Sequence, residues 1–150
     1  MRLDCLRVTA TSCFLAALTL GATPAGPMTA VRQFTDGFNA ANAKGIQAAC
    51  ASATGIIDDF PPHAWMSCGA WWDDFVAFSK QDGDTNAKVI LGTPTHVNVT
   101  GNVAYVVVPT TYTFTHHGKP TTQTGSTWTL VVKNTPAGWR ITAWAWADGK

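Results

Sequence analysis

"NVAYVVVPTTYTFTHH", residues 102–117, decides the fold, because it is too long and too rich in Val, Thr, Tyr and Phe to be read as anything but extended chain. β-Branched and aromatic residues suit a pleated surface. The same composition recurs on both sides, in "AKVILGTPTHVNVT" (87–100), "TQTGSTWTLVVK" (122–133) and "GWRITAWAWA" (138–147). Turn signals separate the four: GN at 101–102, HGKP at 117–120 and TPAG at 135–138. Four long strands joined by short turns predict an antiparallel meander.

Ahead of the meander the period changes. Gly26-Pro27 opens a helix, since proline suits a first helical turn. Met28, Val31, Phe34, Phe38 and Ala41 then recur at spacings of three and four, which predicts an amphipathic helix. Asn42 and Gly45 break it, and "IQAACA" predicts a short second helix. Ile56 and Ile57 read as a short strand that Pro61-Pro62 must end, because proline cannot donate to a ladder. A second long helix follows, with Trp65, Cys68, Trp72, Phe75 and Ser79 on one stripe, flanked by Trp71 and Phe78. "QDGD" stops it. Two long helices over one face of a sheet make an α+β domain.

This order of elements resembles that of the nuclear transport factor 2-like superfamily, which includes the ketosteroid isomerase and SnoaL-like families. The resemblance spans residues 27–148, and its most specific stretches are "IIDDFPPHAW" ahead of "WWDDFVAF", and the closing "GWRITAWAWA". It implies a cone, a curved antiparallel sheet wrapped around two or three N-terminal helices with a pocket at the open end. Such a pocket would hold a small apolar molecule without a cofactor, walled by Trp65, Trp72, Phe75, Tyr112 and Trp128. No motif carries over the family's catalytic residues position by position.

Residues 1–25 stand apart. Arg2 and Arg7 precede an apolar run ending in Gly21-Ala22, the pattern of a secretory signal peptide cleaved after Ala22 or Ala25. The run from Cys13 to Leu20 is too short for a bilayer. The expected product is a secreted or periplasmic domain, residues 26–150. Of 10 basic and 9 acidic residues, Arg2, Arg7 and Asp4 leave with the leader, so eight of each remain. No Lys/Arg cluster survives, which argues against nucleic acid or an anionic membrane as partner. Cys50 and Cys68 also remain. In an oxidising compartment they form a disulfide worth about 3 kcal/mol by loop closure, or else they stay buried as thiols.

Asp58 and Asp59 raise the catalytic question. As neighbours in an extended segment they would point to opposite sides, so at most one would face a cavity. That one would serve as general base beside an apolar pocket, assisted by His63, with Tyr112 as hydrogen-bond donor. Alternatively both carboxylates cap the loop or the following helix. His116 and His117, at a hairpin tip, diverge and find no further ligands at useful spacing, so no metal site is expected. On strict alternation Trp144 and Trp146 face one way, Trp139 and Ile141 the other. Two apolar faces would need cover, and a homodimer is the economical source. The chemistry thus lies between a cofactor-free isomerase, hydratase or cyclase and a non-catalytic binding or dimerisation module. P-loop, dinucleotide-binding, nucleophile-elbow and zinc patterns are absent from the sequence.

Overall fold

The computed structural model describes residues 25–150, so the expected signal peptide, Ala25 apart, lies outside the described residues. Three helices, α1 (Met28–Asn39), α2 (Ala43–Ala49) and α3 (Cys68–Asp82), are interleaved with seven strands. These are β1 (Cys50–Ile57), β2 (Ala64–Trp65), β3 (Asp84–Leu91), β4 (His96–Thr100), β5 (Val103–His116), β6 (Lys119–Thr135) and β7 (Gly138–Ala147). They form one curved, open sheet in the order β2-β1-β7-β6-β5-β3, with β4 also on β5. The meander β5-β6-β7 is antiparallel as expected, while β1 joins β7 in parallel, which makes the whole sheet mixed.

Local chemistry sets the helix ends. Asn42 accepts from the Gly45 backbone N–H to cap α2, and Ser67 accepts from Ala70 N–H to cap α3. The second long helix therefore starts at Cys68, and Trp65 sits in β2 instead. Gly83 closes α3 in the left-handed conformation, φ 76°, which glycine adopts without strain. The stretch 87–100 is not one strand. It breaks at Gly92, whose N–H donates to Pro109 O at 2.8 Å, so β3 and β4 lie end to end along β5.

Two bulges lie within the β5-β6-β7 meander and bend it, as an extra residue in one strand does. Gly125 (φ 80°) is the extra residue in β6, between the pairs Thr111–Thr124 and Thr110–Ser126. Thr142 is the extra residue in β7, between Val132–Ile141 and Val131–Ala143. The second bulge overturns the strict-alternation reading. Trp139 and Ile141 before it, and Trp144 and Trp146 after it, pair with Asn134, Val132, Leu130 and Trp128 and share one face. The premise for a self-association surface at these tryptophans therefore does not hold.

That face carries the core. Val31, Ile46, Val106, Val108, Leu130, Val132 and Ile141 are all almost completely buried. Each such side chain is worth about 1.5–3 kcal/mol of apolar burial. Cys50 and Cys68 form a disulfide, Cα atoms 6.5 Å apart, that ties the start of β1 to the first turn of α3. Among the described residues no helix is long and apolar enough to cross a membrane.

Candidate functional site

The sheet, α1 and α3 do not meet throughout. Between them lies a cavity of about 400 Å³, within the size range of small-molecule sites. Phe34 and Phe38 on α1, Trp71 and Phe75 on α3, and Trp128 and Trp144 on the sheet line its interior. Phe78, Asp82, Asp59 and Asp148 are exposed and mark its rim. The wall of α3 is built at helical spacing from Trp71, Phe75, Phe78 and Asp82.

Both aspartates of the 58–59 pair border this cavity. The expectation that at most one would do so fails because β1 ends at Ile57, so strand alternation no longer applies. The chain then turns sharply: Asp58 N–H donates to His63 O (3.2 Å) and His63 N–H to Phe60 O (2.9 Å). Within this turn the cis peptide bond is Pro61-Pro62, and His63 takes a positive φ of 71°. Capping of α3 falls to Ser67, which frees the two carboxylates from that role.

Asp58 is 9% exposed, and Trp71 Nε1–H donates to its Oδ2 at 2.8 Å while Asp59 N–H donates to Oδ1 at 3.0 Å. Burial raises its pKa above the ordinary 3.8, against the lowering effect of those two hydrogen bonds. Asp59 is pushed up to about 8, first by desolvation and then by a hydrogen bond to Asp148 and the charges of Asp148 and Asp58. Asp148, just past β7, is held in turn by Trp146 Nε1–H at 2.9 Å. The tail carrying it is clamped to β6, Gly149 N–H donating to Ser126 Oγ and Lys150 pairing with Thr124 through two backbone bonds. Tyr112 also faces this cavity, and burial ahead of the nearby carboxylates raises its pKa, so it stays a neutral donor.

At another part of the rim, His116 Nδ1 lies 2.7 Å from Asp84 Oδ1 and 3.9 Å from Asp82 Oδ2. The αL turn at Gly83 brings the two aspartates together. A backbone bond from His117 N–H to Gly83 O holds the hairpin tip against them. All three donor atoms lie within 4.8 Å of one another, so this group could hold a metal ion. The expectation that His116 finds no further ligands is thus corrected: its partners come from the α3–β3 junction, far away in sequence.

Of the residues expected to wall the pocket, Phe75, Tyr112 and Trp128 do so. Trp65 and Trp72 do not: Trp65 donates to Asp74 Oδ2 (2.8 Å) and packs on Phe60, while Trp72 packs edge-on against Phe38 on the far side of α3's stripe. His63 is exposed and outside the cavity, its Nδ1 3.2 Å from the Asp58 carbonyl oxygen, so it forms no proton relay with the Asp59 side chain. The residues that sequence reasoning missed are Asp148, Asp84, Asp82 and His116. Only Asp148, two residues beyond a tryptophan at the end of the last strand, offered any signal.

No protein-family model matches the chain, and no curated protein matches it in sequence. Solved structures do match. A nuclear transport factor 2-like superfamily protein from Salmonella enterica serovar Typhimurium is similar over 82% of this chain and 88% of its own, with a TM-score of 0.69 at 16% identity. A ketosteroid isomerase-like protein from Erwinia carotovora atroseptica covers 81% of this chain and 92% of its own, TM-score 0.65, identity 13%. An NTF2-like protein with a cystatin-like fold from Novosphingobium aromaticivorans covers 80% and 77%, TM-score 0.64, identity 17%.

Proposed function

We propose that this chain, which has the nuclear transport factor 2-like fold, binds a small organic molecule in its cavity and performs cofactor-free proton transfer on it. The observation that carries this reading is that Asp58 and Asp59 both border an aromatic cavity, where burial pushes the Asp59 pKa up to about 8. A group whose proton affinity lies near neutrality can both give and take a proton, the condition for general acid–base catalysis. A strongly perturbed carboxyl in a cleft is a functional-site candidate on the same physical ground.

The roles follow from position. Asp59, at the rim, exchanges the proton. Burial raises its proton affinity first, and Asp148, fixed by Trp146, and Asp58, fixed by the Trp71 indole, raise it further by their charge and hydrogen bonds. Tyr112 donates a hydrogen bond to an oxygen of the bound molecule. Proton abstraction beside a carbonyl, or addition or loss of water, are the reactions such a set can run. The disulfide between Cys50 and Cys68 supports export, since such bonds persist in oxidising compartments.

Base-promoted ring opening of 5-nitrobenzisoxazole, a generic proton-abstraction probe for apolar pockets, tests the reading. The expected result is a rate above buffer that rises with pH toward a plateau and is lost in Asp59→Asn. No acceleration, or equal acceleration by D59N, contradicts the proposal.

A further inference from the structure

The charges around the cavity are one-sided. Asp58, Asp59, Asp82, Asp84 and Asp148 all border it, and among the described residues no lysine or arginine does. The one basic side chain on its wall, His116, is already engaged by Asp84. Neither of the salt bridges in the described residues reaches Asp58, Asp59 or Asp148, because both belong to His116. The rest of the wall is dominated by aromatic rings, with Phe34, Phe38, Trp71, Phe75, Trp128 and Trp144 forming the interior.

A neutral apolar ligand explains the rings but not the carboxylates. Five acidic groups around a largely apolar hollow repel one another. A buried carboxylate normally has a cationic partner, and among the described residues Asp58 has none within salt-bridge distance. Aromatic faces attract cations as well as hydrocarbon, through the ring quadrupole. A carboxylate-rimmed aromatic hollow therefore suits one chemical class in particular.

We infer that the cavity is built for an organic cation, an amine or quaternary ammonium compound whose apolar body packs on the aromatic interior and whose charge sits against Asp59 and Asp148. This rests on the small-molecule reading above and narrows its substrate class: the small apolar molecule expected from the sequence would also carry a positive charge. Acids and phosphates are excluded from the site by the same charges. Asp58, held deeper by Trp71, contributes its field without needing to touch the ligand. The raised proton affinity of Asp59 agrees with this, since a bound cation would supply the charge that a proton supplies in its absence.

Three probes that share a body and differ in charge test the inference: benzyltrimethylammonium, its uncharged isostere neopentylbenzene, and phenylmethanesulfonate. Binding to the full folded domain is followed by calorimetry and by quenching of tryptophan fluorescence at mildly alkaline pH. The expected outcome is cation binding at least about tenfold tighter than the isostere, with no binding of the sulfonate. In the double variant Asp59→Asn, Asp148→Asn, cation affinity falls about tenfold and isostere affinity is unchanged. Equal or tighter binding of the isostere overturns the cation inference while leaving a small-molecule cavity in place. If none of the three binds, both readings fail.

Discussion

Replacing Trp71 by phenylalanine (W71F) separates the electrostatic part of the site from its packing. The indole N–H lies 2.8 Å from Asp58 Oδ2, and the carboxyl is only 9% exposed, so water cannot replace the lost donor easily. A hydrogen bond to a buried charged group is worth about 1.5–3 kcal/mol. That amount is lost only when Asp58 is ionised. The smaller ring also leaves a gap beside Phe34, Phe75 and Trp144, costing roughly 1–2 kcal/mol at any pH. The indole is the main hydrogen bond that lowers the Asp58 pKa, so its removal sends an already raised value higher, by one unit per about 1.4 kcal/mol. Urea denaturation of wild type and W71F below and above the pH range in which Asp58 titrates measures both parts. The expected loss is about 1–2 kcal/mol at the lower pH, growing by at least about 1 kcal/mol at the higher. A loss of the same size at both pH values would refute the role given to this indole.

The raised pKa of Asp59 gives the wild type a stability slope. Its carboxyl binds a proton more tightly folded (about 8) than at its ordinary 3.8, so the contribution is full below 3.8 and lost as pH rises through 8. Asp58 adds the same sign. Melting temperature should fall across that interval, and D59N should flatten the fall. Removing the disulfide with the double substitution C50A/C68A should cost about 3 kcal/mol for the loop it closes, read from denaturant midpoints. In Gly149→Ala the new methyl would overlap the Thr124 carbonyl oxygen that holds the C-terminal tail. The tail, and Asp148 with it, should leave Asp59, whose pKa then drops toward the ordinary value in a carboxyl NMR titration.

The sheet and helices were legible because their periods are strong and their stop signals are local. Val/Thr-rich strands, the Asn42 and Gly83 ends, and the apolar spacing of α1 needed no tertiary information. Bulges were not legible. Thr142 looks like any strand threonine, yet its extra position puts Trp139 and Ile141 on the same face as Trp144 and Trp146. The start of α3 was misplaced by three residues because Trp65 fits the stripe, whereas the Ser67 cap decides where the helix begins. The pair Asp58-Asp59 was found from its setting between isoleucines and prolines, but its orientation depends on where β1 stops. Asp84 and His116 meet across 32 residues, and Asp59 and Asp148 across the whole domain. Such pairs follow from topology, which no local pattern encodes.

Asp59 is held protonated near neutrality first by its burial at the cavity and then by Asp148 and Asp58 beside it. A carbon-13 NMR titration of the aspartate side-chain carboxyls, assigned with D58N, D59N and D148N, tests it most directly. The Asp59 signal should move with a midpoint near 8 and shift downward in D148N. A midpoint at or below 3.8, unchanged in D148N, would contradict it.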